Sequence, residues 1–257
     1  QKNPINEVKR GVVSKYVELK DSYKSIVESM IHAGAKNRCK MNIDWIHSET
    51  INANKSHELL NGISGIIVPG GFGKRGTEGK IAAIKYARIN KIPFLGICFG
   101  MQMAIIEFAR NVLNIKTASS SELNSKCTPV VGLIHEWKKD GKTIRGTNKD
   151  LGGTMRLGLY EAELLNNSLI KSIYKTKSIK ERHRHRYEVN TNFKKHFEKK
   201  GLIFSGNSPD KNLPEIIELK NHPWFIGVQF HPEFKSRPLS PHPLFSSFIK
   251  AAKNHKK

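Results

Sequence analysis

The chain has 257 residues, of which 38% are hydrophobic, enough to bury a substantial core in one large α/β domain or two small ones. No segment reaches the apolar length of a membrane span, and residues 1–20 mix charges with short apolar runs, which argues against a secretory signal. The three cysteines, Cys39, Cys98 and Cys127, show no paired spacing. This argues against a disulfide framework or a structural zinc site and favours a reducing, cytoplasmic setting.

The formal net charge is +22, a balance that nucleic-acid-binding proteins often carry. The lysines are scattered along the sequence instead of following one helix, and it contains no aromatic RNA-binding motif or zinc-finger spacing. We therefore interpret the charge as solvated surface and do not predict a nucleic-acid partner.

Short apolar runs alternate with amphipathic stretches, which predicts a central, mostly parallel sheet flanked by helices. The predicted strands cover residues 8–13, 40–46, 65–68, 93–97, 186–190, 202–206, 215–219 and 225–230. The predicted helices run from a cap at Asp21 or Ser22 to Gly34, and over 80–90, 101–112 and 243–253. Residues 116–155 predict irregular structure, with an exposed loop over 138–150. A single domain over residues 1–257 fits this pattern better than two.

The strongest motif is Gly96-Ile97-Cys98-Phe99-Gly100, in which an apolar strand runs directly into an amphipathic helix. This layout is typical of a nucleophile elbow with cysteine in place of serine. The turn is tight, so side chains at the two glycines would crowd the neighbouring backbone. Cys98 would lie at a helix N-terminus, where the dipole stabilises a thiolate and free N–H groups face an oxyanion. A small buried hydrophobic role is the alternative for any cysteine, and it suits Cys39 and Cys127.

A second motif places His231 at the end of a strand, followed by Pro232 and Glu233. A nucleophilic cysteine needs an imidazole to take its proton and a carboxylate to hold the ring. In an extended segment the side chains of His231 and Glu233 would face the same side. Alone, this motif is equally typical of a surface histidine, but together with the cysteine elbow it predicts a catalytic site.

Two further clusters are open to more than one interpretation. The glycine-rich turn Pro69-Gly70-Gly71-Phe72-Gly73 follows a predicted strand and could direct N–H groups at a ligand or serve only the chain path. It lacks the Gly-Lys-Ser/Thr ending of a nucleotide-binding phosphate loop. The basic run over 182–186 could be a solvated face or an anion site, where an arginine would pair with a carboxylate.

Taken together, these motifs resemble the class I glutamine amidotransferases, and more closely the amidotransferase domain of the CTP synthase family. The similarity spans nearly the whole chain. The segments that carry it are 14–25 (SKYVELKDSYKS), 68–81 (VPGGFGKRGTEGKI), 106–112 (IEFARNV), 152–158 (GGTMRLG), 181–190 (ERHRHRYEVN) and 230–238 (FHPEFKSRP).

The resemblance implies a class I glutamine amidotransferase fold that hydrolyses L-glutamine through a triad of Cys98, His231 and Glu233. It places the oxyanion hole at the backbone N–H groups of Phe99 and of the Gly70-Gly71 turn. It assigns Glu122 to the α-ammonium group and Arg186 to the α-carboxylate of glutamine. The implied glutamine-binding set is Gly71, Phe99, Gly100, Met101, Gln102, Glu122 and Arg186.

Two residues depart from the family pattern, since Phe99 stands where leucine is usual and Ser14 where glycine is usual. The resemblance also implies an N-terminal synthase domain, absent from this sequence, that aminates UTP to CTP with ATP and Mg²⁺. GTP would activate that longer enzyme, which would assemble as a homotetramer, and no cofactor or metal is expected in this domain. The alternatives are a free-standing glutamyl hydrolase, the amidotransferase of another synthase, or a basic nucleic-acid-binding module on an inert amidotransferase fold.

Overall fold

The computed structural model describes residues 6–15, 20–52, 54–133, 136–139, 142–145, 155–210 and 212–255. Within these ranges the strands are β1 (Asn6–Ser14), β2 (Cys39–His47), β3 (Gly65–Val68), β4 (Phe94–Ile97), β5 (Ala118–Ser120), β6 (Thr128–Leu133), β7 (Glu136–Lys139), β8 (Lys142–Arg145), β9 (Arg156–Leu164), β10 (Ser178–His185), β11 (Tyr187–Val189), β12 (Leu202–Asn207), β13 (Pro214–Leu219) and β14 (Phe225–Val228). The helices are α1 (Lys24–Lys36), α2 (Ser56–Leu60), α3 (Thr77–Ile89), α4 (Phe99–Asn111), α5 (Leu169–Tyr174), α6 (Lys194–Lys199) and α7 (Pro243–Asn254).

Nine strands form the central sheet, in the order β10-β9-β12-β13-β14-β4-β3-β1-β2. The five strands from β14 to β2 are mutually parallel. The remaining four strands extend the sheet in antiparallel fashion. The α/β architecture with flanking helices is therefore as predicted, but the sheet expected to be mostly parallel is mixed.

The antiparallel part consists of β12 and β13, which were predicted as strands, and of β9 and β10, which were not. Strands β9 and β10 alternate buried and exposed residues, so one face of each strand meets solvent. That face is polar in β10, whereas in β9 it includes the exposed Leu157 and Leu159. The basic run that was interpreted as a surface cluster or an anion site is the end of β10. Its period of two was hidden because the buried positions include histidines and a glutamate in place of aliphatic residues.

Two other expectations need correction. Residues 116–155 were expected to be irregular, yet β5 and β6 join β11 in a second sheet, and β7 pairs with β8 as an antiparallel hairpin. The expected loop over 138–150 falls partly outside the described residues, and its described part belongs to that hairpin. Neither Asp21 nor Ser22 caps α1, because a 3-10 turn over Lys20–Tyr23 precedes the helix and puts Tyr23 at the N-cap.

The core lies in two layers on opposite faces of the central sheet, because successive side chains of a strand point to opposite sides. Ile66 and Val68 of β3 belong to one buried cluster with α3 and α4, whereas Ile67 between them belongs to the other with α1 and α7. Leu95 of β4 likewise packs with the α1 and α7 layer, and Phe94 with the α3 and α4 layer. No helix in the described part of the chain is long and apolar enough to span a bilayer.

The parallel strands position the site. Strands β14, β4, β3 and β1 are neighbours in that order, and all four run in the same direction. Their carboxyl ends therefore meet at one edge of the sheet. Lys15 follows β1, the glycine-rich turn follows β3, Cys98 follows β4, and His231 comes shortly after β14. Loops at this edge are the usual ligand sites of α/β sheets.

Candidate active site

Cys98 occupies a strained turn between β4 and α4. Its φ of 51° and ψ of −103° lie outside the regions that L-residues favour. Such a conformation costs on the order of 1–3 kcal/mol and persists only where the surrounding structure enforces it. The Cys98 N–H donates to the carbonyl of Val228 at 2.7 Å, which ties the elbow to β14. The predicted strand–elbow–helix arrangement around this cysteine is therefore present.

Close packing explains the two glycines that flank the elbow. A Cβ atom at Gly100 would lie 2.0 Å from the carbonyl oxygen of Val68. A Cβ atom at Gly96 would lie 2.8 Å from the backbone carbon of Gly100. Backbone atoms at such distances cannot yield as a flexible side chain can. Glycine is therefore required at position 100 for α4 to pack against β3, and at position 96 for the start of α4 to pack against β4.

His231 and Glu233 form a hydrogen-bonded pair beside this sulfur. Nδ1 of His231 lies 2.7 Å from Oε1 of Glu233, and both side chains are largely buried. The ring stacks on Phe234, with centroids 5.2 Å apart, and the His231 N–H donates to the Arg182 carbonyl at 2.8 Å. The expected extended segment is wrong, since residues Pro232–Lys235 form a 3-10 turn. That turn folds Glu233 back onto the ring, so the two side chains meet without sharing a strand face.

Cys98 and Glu233 set the electrostatic environment of His231. Burial lowers the pKa of the imidazole, but hydrogen bonding and charge interaction with Cys98 and Glu233 outweigh it and raise the pKa to about 10. Because Nδ1 faces Glu233, Nε2 is the ring nitrogen left for the sulfur. A Cβ atom at Gly70 would lie 2.9 Å from Cε1 of His231 and 3.8 Å from Cβ of Cys98, so the glycine turn closes over this pair.

A pocket of ≈ 660 Å³ opens at the sulfur, a size suited to a small molecule. Cys98, His231, Gly70 and Gly71 all line it. The remaining lining residues are Ser22, Tyr23, Phe72, Gln102, Glu122, Met155, Arg184, His185, Arg186 and Tyr187. In the described part of the chain, no group of three or more His, Cys, Asp and Glu residues is arranged to hold a metal ion.

Four of the seven predicted glutamine-binding residues line the pocket, and the other three are not among its described lining residues. Gly71, Gln102, Glu122 and Arg186 all line it. The described lining residues do not include Phe99, Gly100 or Met101, which are buried in the core. Any contact of those three residues with a ligand would therefore come from the backbone at the start of α4. The Met101 N–H already donates to the Cys98 carbonyl at 3.1 Å, which leaves the first two N–H groups, those of Phe99 and Gly100, as the ones without a helical partner.

Opposite charges hold the peptide group between Phe72 and Gly73 from both ends. The Nζ atom of Lys15 donates to the carbonyl of Phe72 at 2.5 Å. The N–H of Gly73 donates to Oε1 of Glu122 at 2.7 Å. Lys15 also lies 4.8 Å from the centroid of the Phe72 ring. The glycine-rich turn is thus fixed by Lys15 and Glu122, two side chains from distant segments of the chain. Glu122 is also one of the predicted glutamine-binding residues.

A second lysine is buried behind the same turn. Lys80 of α3 is 1% exposed, its Nζ lies 4.8 Å from the ring centroid of Phe99, and a Cβ atom at Gly71 would come within 3.6 Å of it. Burial, together with the positive charge of Lys15, lowers the pKa of Lys80 to about 8. Phe99 therefore provides the aromatic face against this cation.

A buried charge cluster lies next to the pocket, since its member Glu188 directly follows the lining residue Tyr187. Arg156 lies 3.0 Å from Glu188 and 2.8 Å from Glu215, and all three side chains are almost fully buried. Burial raises the pKa of both carboxyl groups, and for Glu188 the nearby Glu215 raises it further, while Arg156 opposes these shifts. Burial also lowers the pKa of His183 and His185 well below the usual value, so both rings are neutral.

One side chain that touches the sulfur was not predicted from the sequence. Gln229, which follows β14 directly, is completely buried and places Nε2 3.8 Å from Sγ of Cys98. Its only signal in the sequence is its place two residues before His231 on the same strand end. Glu122 likewise has no recognisable signal in the sequence, since it was predicted as a glutamine-binding residue through the family resemblance alone.

Comparison with known proteins agrees with this geometry. The family model for Glutamine amidotransferase class-I matches residues 18–251. The chain therefore belongs to the class I glutamine amidotransferase family, which confirms the predicted fold and enzyme class.

Within that family, the similar proteins are CTP synthases. The chain is 69% identical to a CTP synthase of Pelagibacter ubique over 250 residues, which cover 97% of this chain and 46% of the relative. It is 57% identical to a CTP synthase of Zymomonas mobilis over 253 residues, which cover 97% of this chain and 46% of that protein. The solved glutaminase domain of Trypanosoma brucei CTPS, with bound acivicin, is 35% identical with a TM-score of 0.87, covering 97% of this chain and 95% of that one.

The chain spans about half the length of the curated relatives it matches. A solved glutamine amidotransferase of Thermotoga maritima is 14% identical with a TM-score of 0.51, covering 95% of this chain and 96% of that one, which is a likeness of fold alone. The similarity predicted from the sequence segments, to the amidotransferase domain of the CTP synthase family, is confirmed.

Proposed function

We propose that this domain hydrolyses L-glutamine to glutamate and ammonia through a triad of Cys98 as nucleophile, His231 as base and Glu233 as the group that orients it. One observation carries the proposal. The hydrogen-bonded His231–Glu233 pair meets the strained cysteine elbow at the edge of one pocket. Family membership supports glutamine as the substrate, and the geometry supports the assignment of roles.

The reaction would proceed in two halves. Nε2 of His231 takes the proton of Cys98, and the sulfur attacks the side-chain amide carbon of glutamine. The carbonyl electrons move onto oxygen, which the N–H groups of Phe99 and of the Gly70-Gly71 turn would stabilise. When the tetrahedral intermediate collapses, His231 returns its proton to the amide nitrogen, so ammonia leaves and a glutamyl thioester remains. Water, deprotonated by His231, then attacks the thioester and releases glutamate and the thiol.

Two charged side chains that line the pocket suit the amino-acid part of the substrate. Glu122 would bind the α-ammonium group and Arg186 the α-carboxylate, as opposite charges require. Glu122 already accepts a hydrogen bond from Gly73, so a bound ammonium group would share this carboxylate with the glycine-rich turn. Gly71, Gln102 and the backbone of Phe99, Gly100 and Met101 would complete the binding site.

The fate of the ammonia is proposed from the longer relatives. These are CTP synthases about twice as long as this chain, which favours a synthase over a free-standing glutamyl hydrolase. In the intact enzyme the ammonia would pass to an N-terminal synthase domain that aminates UTP to CTP with ATP and Mg²⁺. GTP activation and assembly into a homotetramer belong to the same proposal.

The experiment compares glutamate release from glutamine by the wild type, Cys98→Ala and Cys127→Ala, with and without an added synthase domain. We expect Cys98→Ala to abolish release, and Cys127→Ala to retain it as the matched control. Acivicin, which the Trypanosoma brucei domain binds, serves as the labelling probe. Labelling of Cys39 or Cys127 in place of Cys98 would refute the assignment of the nucleophile.

A further inference from the structure

Gln229 lies against the sulfur without exposure to solvent. It follows β14, its side chain is completely buried, and its Nε2 is 3.8 Å from Sγ of Cys98. Its backbone N–H donates to the Glu215 carbonyl at 2.9 Å, which fixes the residue over the buried charge cluster. A buried amide beside a reactive atom is costly to place unless its hydrogen bonds are satisfied, so its partners define what it does.

The hydrogen-bond network determines which end of the Gln229 amide faces the sulfur. The Tyr187 carbonyl lies 3.0 Å from Nε2 of Gln102, and because a carbonyl can only accept, this end of Gln102 must be its NH₂ group. The same NH₂ group lies 3.4 Å from Oε1 of Gln229 and donates to it. Only the oxygen of Gln229 can accept there, so its NH₂ group is the end turned toward Cys98.

Besides His231, two polar groups contact the sulfur, and they favour opposite protonation states. The Arg184 carbonyl, 3.9 Å from Sγ, can accept from a thiol but repels a thiolate. The Gln229 N–H donates, and a donor stabilises the anion more than the neutral thiol. His231, backed by Glu233, is the titratable partner of the sulfur. The other charged or titratable side chains that line the same pocket, among the described residues, are Tyr23, Glu122, Arg184, His185, Arg186 and Tyr187.

We infer that Gln229 is a further catalytic residue, whose side-chain N–H donates to the sulfur of Cys98 and stabilises the thiolate, and that Gln102 is a positioning residue that holds the Gln229 amide in this orientation. A neutral donor complements His231, because it stays in place after the imidazolium has given its proton to the leaving group. The consequence for turnover rests on the proposed glutaminase function, but the contact itself does not.

The test measures thiol reactivity, so it needs no glutamine. Wild type, Gln229→Met and Gln102→Met are treated with iodoacetamide from pH 5 to pH 10, and alkylation of each cysteine is followed by peptide mass spectrometry. Methionine is close to glutamine in size but cannot donate. Cys127, which is partly exposed and lies outside the pocket lining, reports in the same tube on any general change in reactivity.

We expect Gln229→Met to slow alkylation of Cys98 about tenfold near neutral pH and to move its pH midpoint up by about one unit. Gln102→Met should slow it about threefold, because the amide then loses its orientation but not its donor. The Cys127 rate should stay unchanged in both variants. If Gln229→Met does not fold, the proposal is tested by Gln102→Met, again by comparing the alkylation rate of Cys98 with that of Cys127.

Equal Cys98 alkylation rates in wild type and a folded variant across the pH range would overturn the proposal. A uniform slowing of both Cys98 and Cys127 in a folded variant would also overturn it, because the effect would then not be specific to the sulfur beside the amide. Failure of the glutaminase assignment looks different. In that case the wild type releases no glutamate, while the difference in Cys98 alkylation between wild type and Gln229→Met persists.

Discussion

Nδ1 of His231 lies 2.7 Å from Oε1 of Glu233, and this pairing leaves the opposite ring nitrogen for the sulfur of Cys98. A carboxylate in this position fixes the tautomer of the ring and stabilises the imidazolium that forms when the thiol loses its proton. The 3-10 turn over Pro232–Lys235 creates the contact by bringing Glu233 back over the ring. The pairing of base and carboxylate therefore depends on the backbone of this turn as well as on the two side chains.

Replacement of Cys98 by alanine should lower the pKa of His231 from about 10, because the sulfur is one of the groups that raise it. Because the pKa of His231 is raised in the folded state, its protonated ring stabilises the protein fully below pH 6.5, the ordinary pKa of histidine. This contribution to stability is lost as pH rises toward 10. Wild type should therefore lose more stability than Cys98→Ala between pH 6.5 and pH 10. NMR titration of the imidazole rings measures the pKa directly. His222, whose burial lowers its pKa to about 4, is the control ring that should not change.

Substitution Glu233→Gln should lower kcat for glutamine hydrolysis by about 10²-fold, because the ring loses the charge that stabilises its protonated form. KM should change little, since Glu233 is not among the described residues that line the pocket. Steady-state kinetics separate the two constants. A rise in KM with unchanged kcat would show that Glu233 shapes the binding site and does not orient the base.

Alanine at Gly100 should destabilise the fold by roughly 3 kcal/mol or more, because its Cβ would meet the Val68 carbonyl oxygen at 2.0 Å. Alanine at Gly132 is the matched control, since its Cβ would lie 3.9 Å from the Ser121 hydroxyl oxygen, an ordinary contact. Urea denaturation measures both changes. Equal midpoints for the two variants would contradict the close approach of α4 to β3.

Substitution Lys80→Met should stabilise the protein by roughly 2–3 kcal/mol near pH 6, because burial makes the charged form of this lysine unfavourable. A lowered folded-state pKa means that wild type becomes more stable as pH rises from about 8 to 10.5, so the advantage of the variant should vanish there. Lys85→Met, at an exposed position on the same helix, should change stability by less than about 0.5 kcal/mol. Thermal or urea unfolding at both pH values provides the measurement, and a destabilised Lys80→Met at pH 6 would contradict the burial argument.

Substitution Arg156→Met should destabilise the protein by about 3–5 kcal/mol at neutral pH, because it leaves Glu188 and Glu215 buried without their cation. The loss, measured by urea unfolding, should shrink toward pH 4, where both carboxyl groups become protonated. Lys9→Met breaks an exposed pair with Asp44 at 3.0 Å and should cost less than about 1 kcal/mol. A pH-independent loss in Arg156→Met would show that packing and not charge dominates.

The parts of the fold that were predictable from the sequence are those with strong local patterns. The apolar run before Cys98 and the glycines on either side predicted a strand, an elbow and a helix, and all three are present. Strand β3 and helix α7 also agree with their predicted ranges to within one residue. Strands β9 and β10 were not predicted because their buried faces carry Arg156, Glu181 and histidines in place of a run of aliphatic residues. A buried charge can be recognised only when its partners are known.

The sequence by itself determined the family and the candidate nucleophile and base, because strained turns and strand ends need particular residues at fixed spacing. Only the tertiary structure decided that the sheet is mixed, that Glu233 reaches His231 from a 3-10 turn, and that Gln229 touches the sulfur. The physical reason is the same in each case. These features depend on burial, orientation and the meeting of separate segments, which no local pattern encodes.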